Sequence, residues 1–227
     1  MNHHRNNPSP RFLELQAMYR QMHQRGEEFL GVPAEKTFPG FSLDAQLARI
    51  KSLVTRTGAD TMLDYGCGKG RQYDLRDIDL GGGERCESIA DYWDVAFIHC
   101  YDPAYARFSA LPTSTFDAVV STDVLEHCPE EDVPWILGEI FGYAERLVFT
   151  NVACYPAKQR LPSGENAHTT IRPGAWWLSA MERAAAKRPG LAWELWISEQ
   201  VATDAGPLVA RAEGAHALRP GAESRFA

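Results

Sequence analysis

The stretch Thr61-Met62-Leu63-Asp64-Tyr65-Gly66-Cys67-Gly68-Lys69-Gly70 constrains this chain more than any other. Residues of strand character run straight into glycines at alternate positions, a spacing that lets the backbone turn tightly and leaves room for a ligand against the main chain. It is not the dinucleotide fingerprint G-x-G-x-x-G: counted from Gly66, the third glycine would fall where Arg71 stands. It is not a phosphate loop either, because no G-K-[ST] follows. What distinguishes it is Asp64, two positions before the first glycine. A carboxylate beside a glycine turn suits a ligand with a positive amine and no pyrophosphate.

The same strand-then-turn grammar recurs downstream. Residues 97–102 read as a strand ending on Asp102, 116–122 as a strand followed by Asp123, and 146–153 as a fourth strand. Helices are expected at 11–26, where Phe12, Leu15, Tyr19 and Met22 share a face, and after Ser42, a candidate cap, with closure at Gly58. Further helices are expected near 85–91, after Pro129 and the acidic Glu130-Glu131-Asp132, and over 174–187 before Pro189. Residues 193–198 and 207–212 read as a terminal strand pair. The expected fold is α/β, a Rossmann-like open, mostly parallel sheet with helices on both faces and an N-terminal helical cap. Residues 1–41 form the cap, 42–213 the main domain and 214–227 a flexible tail. Ligands of such sheets bind beyond the carboxyl ends of the strands, where Asp64, Asp102 and Asp123 fall.

Composition narrows the function. At 227 residues, 44% hydrophobic, the chain has room for a sizeable core. Its 23 Lys+Arg against 30 Asp+Glu leave a net charge of −7, which argues against nucleic acid held by its phosphates and against an anionic membrane surface. Cys67, Cys86, Cys100, Cys128 and Cys154 are odd in number and lack C-x-x-C spacing, so they read as free thiols in a reducing compartment. With no apolar run of bilayer-spanning length and no secretory-type apolar segment at the N-terminus, a cytoplasmic protein is the expectation.

LDYGCGKG, the strand ending in Asp102 and the later FDAVVSTDVLEH together resemble the class I S-adenosylmethionine-dependent methyltransferases over roughly residues 42–200. The resemblance implies S-adenosylmethionine as cofactor. It places Asp64, Gly66, Cys67, Gly68 and Gly70 around the methionine half, Asp102 with Pro103 at the ribose, and Thr122, Asp123 and Val124 near the cofactor and substrate entrance. One spacing departs from the pattern. Asp102 stands 38 residues beyond Asp64, where a bare strand–helix–strand step would put the acid about 20 on. Only 14 residues separate Asp102 from Phe116. Either one strand of the sheet is missing or reduced, or another acid, Asp77 or Asp79, takes the ribose; Asp102 is retained because residues 98–103 read as strand then turn.

Asp123, Glu126, His127 and the distant His168 form a second constellation with three readings. His127 or His168, with Asp123 beside them, would be a general base for an acceptor hydroxyl, histidine being suited to that near neutral pH. Alternatively Asp123, Glu126, His127 and His168 would hold one divalent metal ion, a spacing that resembles the metal site of small-RNA 2′-O-methyltransferases. Or the histidines bond carbonyls at strand ends and fix loops. Tyr19, His23 and Phe38 are substrate-side candidates if the N-terminal segment folds over the pocket. Trp176, Trp177, Trp193 and Trp196 read as core more than as a stacking platform, and Lys69 and Arg71 as solvated flanks of the turn. The expected activity is O-methylation of a sugar or metabolite hydroxyl on a small molecule. The other readings are a metal-assisted RNA 2′-O-methyltransferase and a cofactor-binding subunit without catalysis.

Overall fold

Met62 and Leu63 are adjacent and both fully buried, one packed into each of two separate apolar cores. That is the signature of a strand with helices on both faces. A computed structural model describes residues 3–203, 206–212 and 216–217. Among them, helices α1 (Pro10–Arg25), α2 (Leu47–Thr57), α3 (Ile89–Trp93), α4 (Val133–Tyr143) and α5 (Gly174–Ala185) alternate with strands β1 (Thr61–Tyr65), β2 (Ile78–Gly81), β3 (Glu84–Cys86), β4 (Phe97–Tyr101), β5 (Phe116–Thr122), β6 (Ala144–Ala153), β7 (Ala192–Thr203), β8 (Gly206–Ala212) and β9 (His216–Ala217). Five strands run parallel in the order β4-β1-β5-β6-β7, and β8 and β9 pair antiparallel with β7. This is the expected Rossmann-like open α/β sheet. Val119 and Val148 face α4 and α5; Val120, Leu147 and Phe149 face α2 and α3. The period-2 alternation of each strand thus fills both cores.

The chain leaves β1, pairs β4 on one side of it, then crosses to β5 on the other. Such a reversal opens a crevice outside the carboxyl ends of the two central strands.

The long Asp64–Asp102 interval is accounted for. It holds the antiparallel β2–β3 hairpin, turned by Gly81-Gly82-Gly83, and α3. Between β4 and β5 there is only a 3-10 turn at Ala106–Phe108, and among the described residues no strand lies outside β4. Of the two explanations for the spacing, the reduced sheet is the observed one. One local expectation is corrected. Ser42 does not cap α2; its hydroxyl lies 2.7 Å from Thr122 Oγ1. Asp132 precedes α4, and its carboxylate is taken by donors outside that helix's first amides. Trp176 and Trp196 pack against the cores and Trp177 and Trp193 lie within one, as expected of core residues. The tail over 214–227 lies outside the described residues except for β9. All five cysteines are free, and among the described residues no helix is long and apolar enough to cross a membrane.

The N-terminal segment is tied down by buried polar contacts. Ser9 caps α1 by accepting from Phe12 N at 3.0 Å, and its own amide (3.0 Å) and hydroxyl donate to the Asp132 carboxylate. Trp135 Nε1 donates to the same group at 2.6 Å. Arg5 reaches Glu139 and the Tyr65 hydroxyl and lies over the Trp135 ring. These contacts hold α1 across the carboxyl ends of the strands. Asp132→Ala strips three buried donors of their acceptor, at a cost of about 3 kcal/mol. Denaturant melts should show that loss, and limited proteolysis should cut within the first 30 residues faster than in the parent.

Candidate functional site

Beneath α1 lies a cavity of about 510 Å³. Gly66, Cys67 and Gly68 enter its wall from the end of β1, Asp102, Pro103 and Ala104 from β4, and Thr122, Asp123 and Val124 from β5. Tyr19 and His23 of α1 and Phe38 of the following connector close it, and His127 and His168 line it as well. The three substrate candidates therefore meet most of the cofactor candidates in one space. Asp64 and Gly70 do not line it. Sequence reasoning missed the loop after β6, which adds Ala153, Tyr155 and Ala157. The signal was present: β6 ends on the same edge of the sheet as β1 and β5, so its loop falls under the same rule.

The glycine turn is held by the protein itself. Gly66 and Cys67 amides donate to Tyr101 O at 2.7 and 3.1 Å, Gly68 N to Asp102 Oδ2 at 3.0 Å, Lys69 N to Phe38 O at 2.9 Å, Gly70 N to Cys67 O at 3.0 Å, and Arg71 N to Pro39 O at 3.0 Å. The glycines are needed because the connector crosses so closely. A Cβ on Gly68, whose φ is +58°, would sit 2.6 Å from Phe38 O. Phe38 itself takes a φ of 48°, a conformation costly for an aromatic residue. A ligand therefore meets the outer face of Gly66–Gly68, not a ring of open amides.

Asp64 is sealed behind the turn, accepting from Tyr73 OH at 2.8 Å and Gln72 Nε2 at 3.2 Å. Burial raises its pKa to about 7, opposed by those two donors. Asp102 is in the wall, accepting from Gly68 N, Ala104 N and Tyr105 N at 3.0, 2.8 and 3.1 Å. Burial raises it too, to about 6, against the pull of those amides. Asp77 and Asp79, the alternative ribose acids, lie exposed on the β2–β3 hairpin, paired with Arg85 and away from the cavity. Lys69 is buried, contrary to its expected solvation. Its Nζ donates to Thr37 O at 2.7 Å and lies 3.1 Å from His23 Nδ1, and burial lowers its pKa. Burial, then the Lys69 charge, pushes His23 down to about 3.

The second constellation does not assemble as a metal centre. Glu126 is fully buried and turns inward, accepting from Ala153 N at 2.7 Å, and burial next to Asp123 holds its carboxyl far above the usual range. Asp123, in left-handed conformation at φ 54°, accepts from Asn151 Nδ2. Among the described residues no three His, Cys, Asp or Glu are placed to share an ion. The expected quartet Asp123, Glu126, His127 and His168 is corrected accordingly: Glu126 has left it for the interior.

His127 Nδ1 lies 2.9 Å from Ala167 O, and His168 Nδ1 lies 2.6 Å from Tyr155 O. The loop-fixing reading thus describes the Nδ1 side of both rings, while the opposite nitrogens are left for the cavity. Burial, with the neighbouring His168, lowers His127 to about 3, and burial lowers His168 as well. Both rings are neutral at pH 7.

The chain matches no protein-family model, no curated protein and no solved structure. Function must be read from the geometry.

Two expectations follow. Gly68→Ala drives a methyl into Phe38 O and a left-handed backbone, and should destabilise by roughly 2–3 kcal/mol in chemical denaturation. Asp64→Asn bears on pH. The folded chain keeps the Asp64 proton up to about pH 7 and the unfolded chain releases it near 3.8, so stability is lost as pH rises between these values. The variant, which cannot ionise, should gain melting temperature relative to the parent between pH 4 and pH 8, by up to roughly 4 kcal/mol in stability.

Proposed function

We propose that this chain transfers a methyl group from S-adenosylmethionine to a hydroxyl oxygen of a small molecule. One observation carries the reading: a single cavity beneath α1 collects the glycine turn after β1, the acid after β4, the residues after β5 and two neutral imidazoles. A donor and an acceptor bound together there would be close enough for an in-line displacement.

The donor, when bound, supplies a methyl on a sulfonium, a leaving group already activated. The chain's part is therefore positioning, and a weak base suffices. The outer face of Gly66–Gly68 gives the close approach that a side chain would block. Asp102, anchored by three amides, keeps oxygen lone pairs for ligand hydroxyls. Asp64 supports this arrangement from behind by fixing Tyr73 and Gln72, instead of contacting the ligand. His127 Nε2 takes the acceptor proton as the new O–C bond forms and the S–C bond breaks with its electron pair left on sulfur. The cap formed by α1 and the connector limits the acceptor to small molecules, and the divergence of Glu126 gives the metal-assisted RNA reading no support.

Calorimetry with S-adenosylhomocysteine tests the reading. The parent should bind it, Asp102→Ala should weaken binding by about tenfold or more, and Asp64→Asn should change it by no more than about threefold. On a turned-over acceptor His127→Gln should lower kcat by about a hundredfold with cofactor affinity unchanged. No binding to the parent overturns the proposal; binding without turnover of any hydroxyl acceptor leaves the non-catalytic subunit instead.

A further inference from the structure

The two imidazoles of the cavity are a matched pair. Each places Nδ1 on a backbone carbonyl, His127 on Ala167 O and His168 on Tyr155 O. A carbonyl oxygen only accepts, so in both rings the proton sits on Nδ1 and Nε2 carries a lone pair. The rings meet edge to face, 4.8 Å between centroids and 87° between planes, and both line the same cavity. The two Nε2 lone pairs thus belong to rings in contact within one cavity. The Tyr19 hydroxyl sits on the Nδ1 side of His127, 3.2 Å from that nitrogen, 3.1 Å from His127 O and 2.7 Å from Ala167 O, to which it donates, so it does not take up the Nε2 lone pair. A single hydroxyl would satisfy one Nε2 and leave the other desolvated and unmet, which is unfavourable.

The surroundings are flat and apolar. The Tyr19 and Phe38 rings lie 5.4 and 6.2 Å from the His127 ring, both edge to face, and the Tyr155 ring lies 6.0 Å from His168. Such walls favour a planar ring over an open polar chain.

We propose that the acceptor is an aromatic vicinal diol, one hydroxyl donating to each Nε2; this rests on, and deepens, the methyl-transfer reading. The hydroxyl that reacts gives its proton to its own Nε2, its oxygen bonds the methyl carbon, and the S–C bond breaks with the pair on sulfur. The other hydroxyl holds the ring in register. The product is a monomethyl ether whose ether oxygen has no proton to donate, so once the transferred proton has passed to water one Nε2 lone pair is left without a donor and the product binds more weakly than the diol. Burial keeps both imidazoles in the neutral form that this needs.

The test uses chelator-treated full-length protein with ¹⁵N-labelled histidine and no donor present, titrated with catechol, phenol and 2-methoxyphenol. In the free protein the Nε2 resonances of both histidines should have the shift of an unprotonated nitrogen. Catechol should bind about tenfold more tightly than either comparison compound and move both Nε2 signals. His168→Phe, which keeps a ring in place but removes one Nε2, should abolish the preference, so that catechol and phenol bind the variant equally. Equal affinities for catechol and phenol in the parent would overturn the proposal even if the variant fails to fold. So would a preference that arises only when a divalent ion is restored. S-adenosylhomocysteine binding without the catechol preference removes the diol alone. Catechol preference without S-adenosylhomocysteine binding keeps the diol site and removes the methyl-transfer reading.

Discussion

The docking of the connector onto the glycine turn organises this protein. Phe38 O and Pro39 O accept from Lys69 N and Arg71 N, while Gly40 and Gly68 allow the two backbones to approach closer than any Cβ would permit. Because these bonds are made between main chains, they set the height of the N-terminal segment above the sheet. Ser9 and Arg5 fasten the same segment at its other end, on α4. The cavity is the space left between those two attachments. Its size follows from them more than from any side chain that lines it.

The polar groups of this space divide by position. Away from the cavity, the buried carboxyls of Asp64, behind the turn, and of Glu126, bonded to Ala153 N at the end of β6, are held toward their neutral forms. They act on the chain's own donors, and their tendency to keep protons is a cost of burial. In the wall, Asp102 has three backbone donors and stays closer to an ionised carboxylate. His127 and His168, which line the same cavity, are held toward their neutral forms by burial, against the pull of the carbonyls to which their Nδ1 atoms donate. One cavity thus holds both an acid and paired acceptors, which a two-substrate transfer can use.

Much of the fold was legible in the residues. Strands ending in Asp64, Asp102 and before Asp123, and the helices between them, follow from hydrophobic period and from Gly and Pro punctuation, which act locally. The unusual Asp64–Asp102 interval was also visible, and its helix was expected near 85–91 against Ile89–Trp93 observed, but its β-hairpin was not, because strands of four and three residues are too short to impose a clear period. The site was legible in part. Gly66–Gly68, Asp102, Pro103, Thr122–Val124, Tyr19, His23, Phe38, His127 and His168 all reach one cavity, whereas Asp64, Gly70 and Glu126 face elsewhere. Position at a strand end locates a residue near the crevice; it does not say to which face of the strand the side chain is turned. One step along β1 moves a side chain from one face of the sheet to the other, and Asp64 lies on the face that Tyr73 and Gln72 cover.

The residue string by itself determined the layer order, the parallel sheet and the edge at which a ligand would bind, because those depend on patterns repeated over neighbouring residues. Only the tertiary structure decided that the glycine turn serves the connector, that Lys69 is buried, that Glu126 is turned into the interior, and that two distant histidines share one tautomer. Each of those depends on what a group meets across 13 to 46 positions of sequence, where the deciding quantity is the desolvation of a polar atom and the partner that compensates it.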